Sequence, residues 1–87
     1  MKFNVQADPD TGKVWAIYIS INEGKVHQTV EIVPDACYAD EDRHGNLLGV
    51  EMLAPGTLTV NATRVARKYG LRGFTAKIRK MQESLVA

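Results

Sequence analysis

LLGVEMLAPGTLTVNATRVARKY, residues 47–69, changes its hydrophobic period in mid-course, and that change decides the fold class. Through Leu53 the side chains Leu48, Val50 and Met52 keep the two-residue alternation of a strand. Ala54, Pro55 and Gly56 break it, and from there Leu58, Ala62, Val65, Ala66 and Tyr69 recur at helical spacing on one face. Thr57 or Asn61 is the candidate N-cap of this helix and Gly70 its C-terminal cap. After Leu71, Arg72 and Gly73 a second helix is expected, with Phe74, Ile78, Met81 and Leu85 as its apolar stripe.

Upstream of residue 47 the two-residue period dominates. Phe3, Val5 and Ala7 alternate with Lys2, Asn4 and Gln6, predicting a first strand with one buried face, ended by the turn-forming run Asp8 to Gly12. Val14 to Ile21 is apolar on both faces, which predicts a central strand, and Asn22, Glu23 and Gly24 then suit a tight reversal. Val26 to Val33 forms a third strand stopped by Pro34 and Asp35, and Ala36 to Ala39 a short fourth that leads through a charged turn into Leu47–Leu53. Short connections predict an antiparallel meander of four or five strands followed by two C-terminal helices, an α+β domain. The 87 residues make one such domain, with a sheet part over 1–53 and a helical part over 57–87.

The net charge of +1 hides two poles. Residues 57–87 carry seven basic residues against one acidic, residues 1–56 four against nine, so +6 is joined to −5. The basic set is Arg64, Arg67, Lys68, Arg72, Lys77, Arg79 and Lys80, the candidate surface for nucleic acid or a protein partner. Such a polarity predicts self-association that weakens with salt. With a hydrophobic fraction of 45%, a folded globule is expected rather than a disordered tail. The single Cys37 excludes an intramolecular disulfide and suits a reducing cytoplasm, where it reads as a small buried hydrophobe. No apolar run approaches the roughly 20 residues of a membrane span, and the N-terminus lacks a signal-peptide pattern, so a cytoplasmic protein is expected.

Asp40, Asp42, His44, Gly45 and Glu51 match the first, third, fifth, sixth and twelfth places of a calcium-loop template. That template sits between two helices, whereas strand patterns flank it here. A hairpin turn with Gly45 and Asn46 at positive φ is the expectation. Neither a metal nor another cofactor is expected, and Asp40, Asp42 and Glu51 are the residues a cation would use.

The run Asp40, Glu41, Asp42, Arg43, His44, Gly45, Asn46, Leu47, Leu48, Gly49, Val50, Glu51, Met52, Leu53 resembles the D-x-D-x-x-G-x-x-x-G-[IV]-E-[IM]-L hairpin of domain of unknown function family 2283. Ala16, Ile17, Tyr18 and Ile19 are similar to its upstream A-L-Y-I strand, and the resemblance covers residues 2–53. It implies a small α+β domain of bacteria and their phages, without an established activity, some members being suspected partners of toxin-like proteins. Trp15 stands where the family usually has an aspartate, so a role for that carboxylate does not carry over. The basic helices lie outside the pattern.

Ala66, Gly70 and Leu71 are similar to the core of a helix-turn-helix, in which the second helix would offer Lys77, Arg79 and Lys80 to a groove or to phosphates. An ordinary helical hairpin with a solvated basic surface fits the same residues. No serine or cysteine stands in an activating context, neither His27 nor His44 has a nucleophilic partner, and Glu23, Glu31 and Glu51 are scattered over strands. Trp15 and Tyr18 belong to the core or to a protein interface. The composite expectation is a non-enzymatic interaction or accessory protein that binds a protein partner or itself, with a nucleic-acid-binding regulator as the alternative.

Overall fold

The computed structural model describes the backbone of residues 1–53 and 58–86 and, within these, the side chains up to residue 83. In chain order the elements are β1 (Lys2–Ala7), β2 (Val14–Ser20), β3 (Gln28–Val33), β4 (Cys37–Glu41), β5 (Leu47–Leu53), α1 (Leu58–Tyr69) and α2 (Phe74–Val86). The fold is α+β: one antiparallel sheet of five strands, then two helices. Both helices and the fifth strand take the places that the change of period assigns them.

Strand order departs from a simple meander. The sheet runs β1-β2-β5-β4-β3, so β2 pairs with β5 and not with β3. The hairpins β1–β2 and β3–β4–β5 form as expected, but residues 21–27 bridge them without a tight reversal. The backbone amides of Ile21 and Asn22 donate to Leu48 O, and the Asn22 side-chain amide to Leu47 O, which ties this connection to the start of β5. The physical reason lies in β5, where Leu47, Leu48, Gly49 and Val50 are buried in succession. A strand buried on both faces takes the middle of a sheet. β2, also rich in apolar residues, comes next to it.

One face of the sheet carries the core. Ile17 and Ile19 of β2, Val50 and Met52 of β5, and Cys37 and Ala39 of β4 meet Leu58, Ala62 and Val65 of α1 and Phe74 and Ile78 of α2. Full burial of side chains such as Ile17, Ile19, Met52 and Ile78 is worth about 1.5–3 kcal/mol each. α1 lies on β3 and β5, while α2 packs against α1. Asn61 sits a turn inside α1 and is buried, so it does not cap the helix; Thr57 lies outside the described residues.

At the other end of α1, Gly70 takes φ 64° and the Leu71 amide donates to Ala66 O at 3.0 Å, a six-to-one closure that satisfies a terminal carbonyl. Gly73, at φ 73°, then accepts the Lys77 amide at 3.1 Å and starts α2. The Thr59 hydroxyl, in the first turn of α1, donates to the Gln82 side-chain oxygen late in α2 at 3.0 Å. Both residues are about 15 Å from the connecting turn at 1.5 Å per residue, so the helices lie antiparallel side by side. The crossing of roughly 90–120° that defines a helix-turn-helix is absent from this pair. The basic segment is a helical hairpin laid on the sheet.

Candidate interaction surfaces

The sheet face away from the helices is polar and anionic. Register aligns Glu31, Tyr38, Glu51, Tyr18 and Asn4 in one row across all five strands, with Thr29, Asp40, Gly49, Ser20 and Lys2 in the next. The Tyr18 hydroxyl donates to Asp40 Oδ2 at 2.7 Å, and the Thr29 hydroxyl to Asp40 Oδ1 at 2.6 Å. Gly49 makes the first contact possible, because a Cβ there would overlap the Tyr18 hydroxyl and lie 2.5 Å from its Cζ. Burial, and then the Asp40 carboxylate, push the Tyr18 pKa up to about 12. Desolvation and the neighbouring Glu31 raise that of Tyr38 as well. The hydroxyls here are donors held protonated, not nucleophiles.

Asp42 is spent inside its own turn. Its Oδ1 accepts the amides of His44 and Asn46, its Oδ2 accepts the Asn46 side-chain amide, and these bonds hold its carboxyl below the usual range. Gly45 takes φ 81°, as the turn predicts, whereas Asn46 does not adopt positive φ. Asp40 and Glu51 face the polar side of the sheet. The calcium template therefore does not assemble, and among the described residues no three His, Cys, Asp or Glu side chains are grouped to hold a metal ion.

Glu41, the next residue along from Asp40, points to the opposite face and is 7% exposed. Its Oε2 accepts the Tyr69 hydroxyl at 2.5 Å and its Oε1 the Gln28 amide at 2.8 Å. These bonds, Tyr69 foremost, hold its carboxyl below the ordinary range and help raise the pKa of Tyr69. Glu41 thus fastens the end of α1 to β4. Sequence reading ends the strand at Ala39 and places Glu41 in a charged turn; β4 in fact runs on to Glu41, and ordinary alternation after Cys37 and Ala39 puts it on the buried face.

Arg64, Arg67, Lys68, Arg72, Lys77, Arg79 and Lys80 are all exposed. Arg64, Arg67 and Lys68 line one shallow hollow with Glu31 and Ile32 at the β3 edge, and the Lys68 ammonium lies 5.7 Å from the Tyr69 ring centre. Lys77, Arg79 and Lys80 fan around α2 on either side of the buried Ile78. Helix cations and the Glu51 and Asp40 carboxylates thus belong to opposite sides of the sheet, while Glu31, at the β3 edge, borders the cations of α1. Cys37 is buried, and burial pushes its thiol up to about 11, so it is an inert packing group.

A third surface emerges at the β1 margin. Phe3 and Val5 pair with Ile19 and Ile17 and so lie on the helix side, yet each is 41% exposed; Trp15, in β2 at the register shift opposite Gln6 and Ala7, is 55% exposed. All six residues of β1 are exposed, so the buried face expected for this strand does not form. A helix about 10 Å across covers about two strands spaced 4.8 Å apart, so two helices leave roughly one strand of five bare. That mismatch was available in the sequence; which strand stays bare was not, because it depends on strand order.

No protein-family model matches the chain, and neither a curated protein nor a solved structure matches it.

Proposed function

We propose that this chain is a small non-enzymatic interaction domain that docks a protein partner, or a second copy of itself, through the β1–β2 margin of its sheet. The observation that carries this reading is the exposure of Phe3 and Val5 on one face of the edge strand β1, with Trp15 exposed in the neighbouring strand near its end. Exposed aromatic and aliphatic side chains beside a free edge are a docking surface, since edge pairing supplies backbone hydrogen bonds and the side chains supply apolar burial. The buried, protonated thiol of Cys37 and the hydrogen-bonded tyrosines argue against covalent chemistry. The resemblance of residues 2–53 to domain of unknown function family 2283 adds an accessory role in the cytoplasm of a bacterium or for its phage. A photo-activated cross-linker at position 5 is expected to form protein adducts, and one at position 51, on the opposite face, far fewer. Equal or absent labelling at both positions removes the reading.

A second reading is contact with nucleic acid through phosphates. It is favoured by seven exposed cations on the helices, with the Asp40 and Glu51 carboxylates on the other side of the sheet. Without a projecting recognition helix, such contact is independent of base sequence. Replacing Lys77, Arg79 and Lys80 by alanine should lower affinity for duplex DNA and flatten its salt slope; an unmodified protein that shifts no duplex at low salt ends this reading.

A further inference from the structure

We infer that the occupant of the β1 margin is a second copy of this chain, paired β1 to β1 across a two-fold axis through Asn4, an inference that rests on the docking role proposed above. The two sheet edges differ in how they are defended. β3 carries a bulge between Glu31 and Val33, ends at Pro34, has Asp35 at φ 58°, and lies beside Arg64, Arg67 and Lys68. Bulges, prolines and charges are the usual devices that keep an edge from pairing. β1 has one lysine at its start and a register shift only at its end, between Gln6 and Ala7. Phe3, Asn4 and Val5 between them are undefended and exposed.

Alternation fixes the register of such a pair. For both copies to keep their helices on one side of a continued sheet, opposed residues must share a face, so the axis passes through a residue; through Asn4 it pairs the whole regular run Lys2–Gln6 short of the shift at Ala7, with Phe3 against Val5 of the second copy and Lys2 against Gln6. Charge selects the same direction. An antiparallel pair brings the Lys2 end of one strand to the Asp8–Asp10 turn of the other, whereas a parallel pair stacks Lys2 on Lys2 and Asp8 on Asp8. Pairing also merges the two exposed faces, so that Phe3 and Val5 of both copies fill the space between two helical layers. Each copy contributes the same surface, so the assembly closes at two.

The test is light-scattering mass across a broad concentration series, with hydrogen exchange on the β1 amides. The wild type is expected to reach twice the chain mass, with β1 amides slowing as the dimer forms. The double variant Phe3→Lys/Val5→Lys, at two already exposed positions, is expected to stay at the single-chain mass with an unchanged circular dichroism spectrum. Should that variant fail to fold, exchange in the wild type decides alone. A wild type that remains a monomer, a dimer that persists in the variant, or β1 amides that exchange equally at low and high concentration overturns the inference. A monomer whose position-5 cross-linker still labels other proteins leaves the broader docking role standing; a monomer without adducts removes both.

Discussion

At Gly49 the missing side chain is what lets Tyr18 lie across the sheet to reach Asp40. Its φ is not in the left-handed region, so conformational freedom is not the reason for glycine there; space is. Gly49→Ala should cost about 1–3 kcal/mol by displacing the tyrosine and opening its bond to Asp40. In a Tyr18→Ala background the same change should cost much less, because the obstacle is gone. Additive costs in a urea-denaturation cycle would contradict this. The partner of Gly49 across the sheet follows only from register, so the residue is legible in the sequence as a hairpin glycine but not as the floor beneath a tyrosine. Glu41 makes the matching case on the other face. Its folded pKa is depressed by Tyr69 and Gln28, so the stabilisation it brings is present above the unfolded carboxyl value of about 4.3 and is lost as pH falls through the folded one. Tyr69→Phe should therefore lower stability by about 1 kcal/mol at neutral pH, with the gap closing in acid. A gap of constant size from neutral to acid pH would show that the hydroxyl does not act through this carboxylate.

Element boundaries were open to reading because each is set locally. Asp8 accepts the amides of Asp10 and Thr11 in the first turn, Gly70 and Gly73 supply the left-handed steps between the helices, and the apolar stripes of α1 and α2 bury Leu58, Ala62, Val65, Phe74 and Ile78, the side chain of Leu85 lying outside the described residues. Strand order was not, because alternation assigns a side chain to a face without saying which strand lies alongside. Placing Val14–Ser20 at the centre rewards its apolar content, yet Leu47–Leu53 has the longer run of consecutive burial and holds that place. The same limit hid the β1 margin. Phe3 and Val5 alternate as a core strand does, and only the span of two helices over five strands shows why their face stays open. The helix pair illustrates the opposite case: a motif of Ala66, Gly70 and Leu71 is satisfied locally, while the Thr59–Gln82 contact, more than twenty residues apart, decides that the helices run side by side.

Across the whole molecule two routes to association compete, and symmetry separates them. The basic helices and the Asp40 and Glu51 carboxylates lie on opposite sides of the sheet, so a contact between unlike poles joins different surfaces of the two copies. Such a contact is head-to-tail, and it builds rings or open chains whose size falls as salt screens the charges. Pairing through β1 joins like surfaces, closes at two, and draws on backbone hydrogen bonds and apolar burial that salt does not weaken. Raising salt to several hundred millimolar should accordingly remove any species larger than a dimer and leave the dimer mass intact. A mass that falls to that of the single chain under the same change would assign the association to the +6 and −5 poles, and the open β1 edge would then have no part in it.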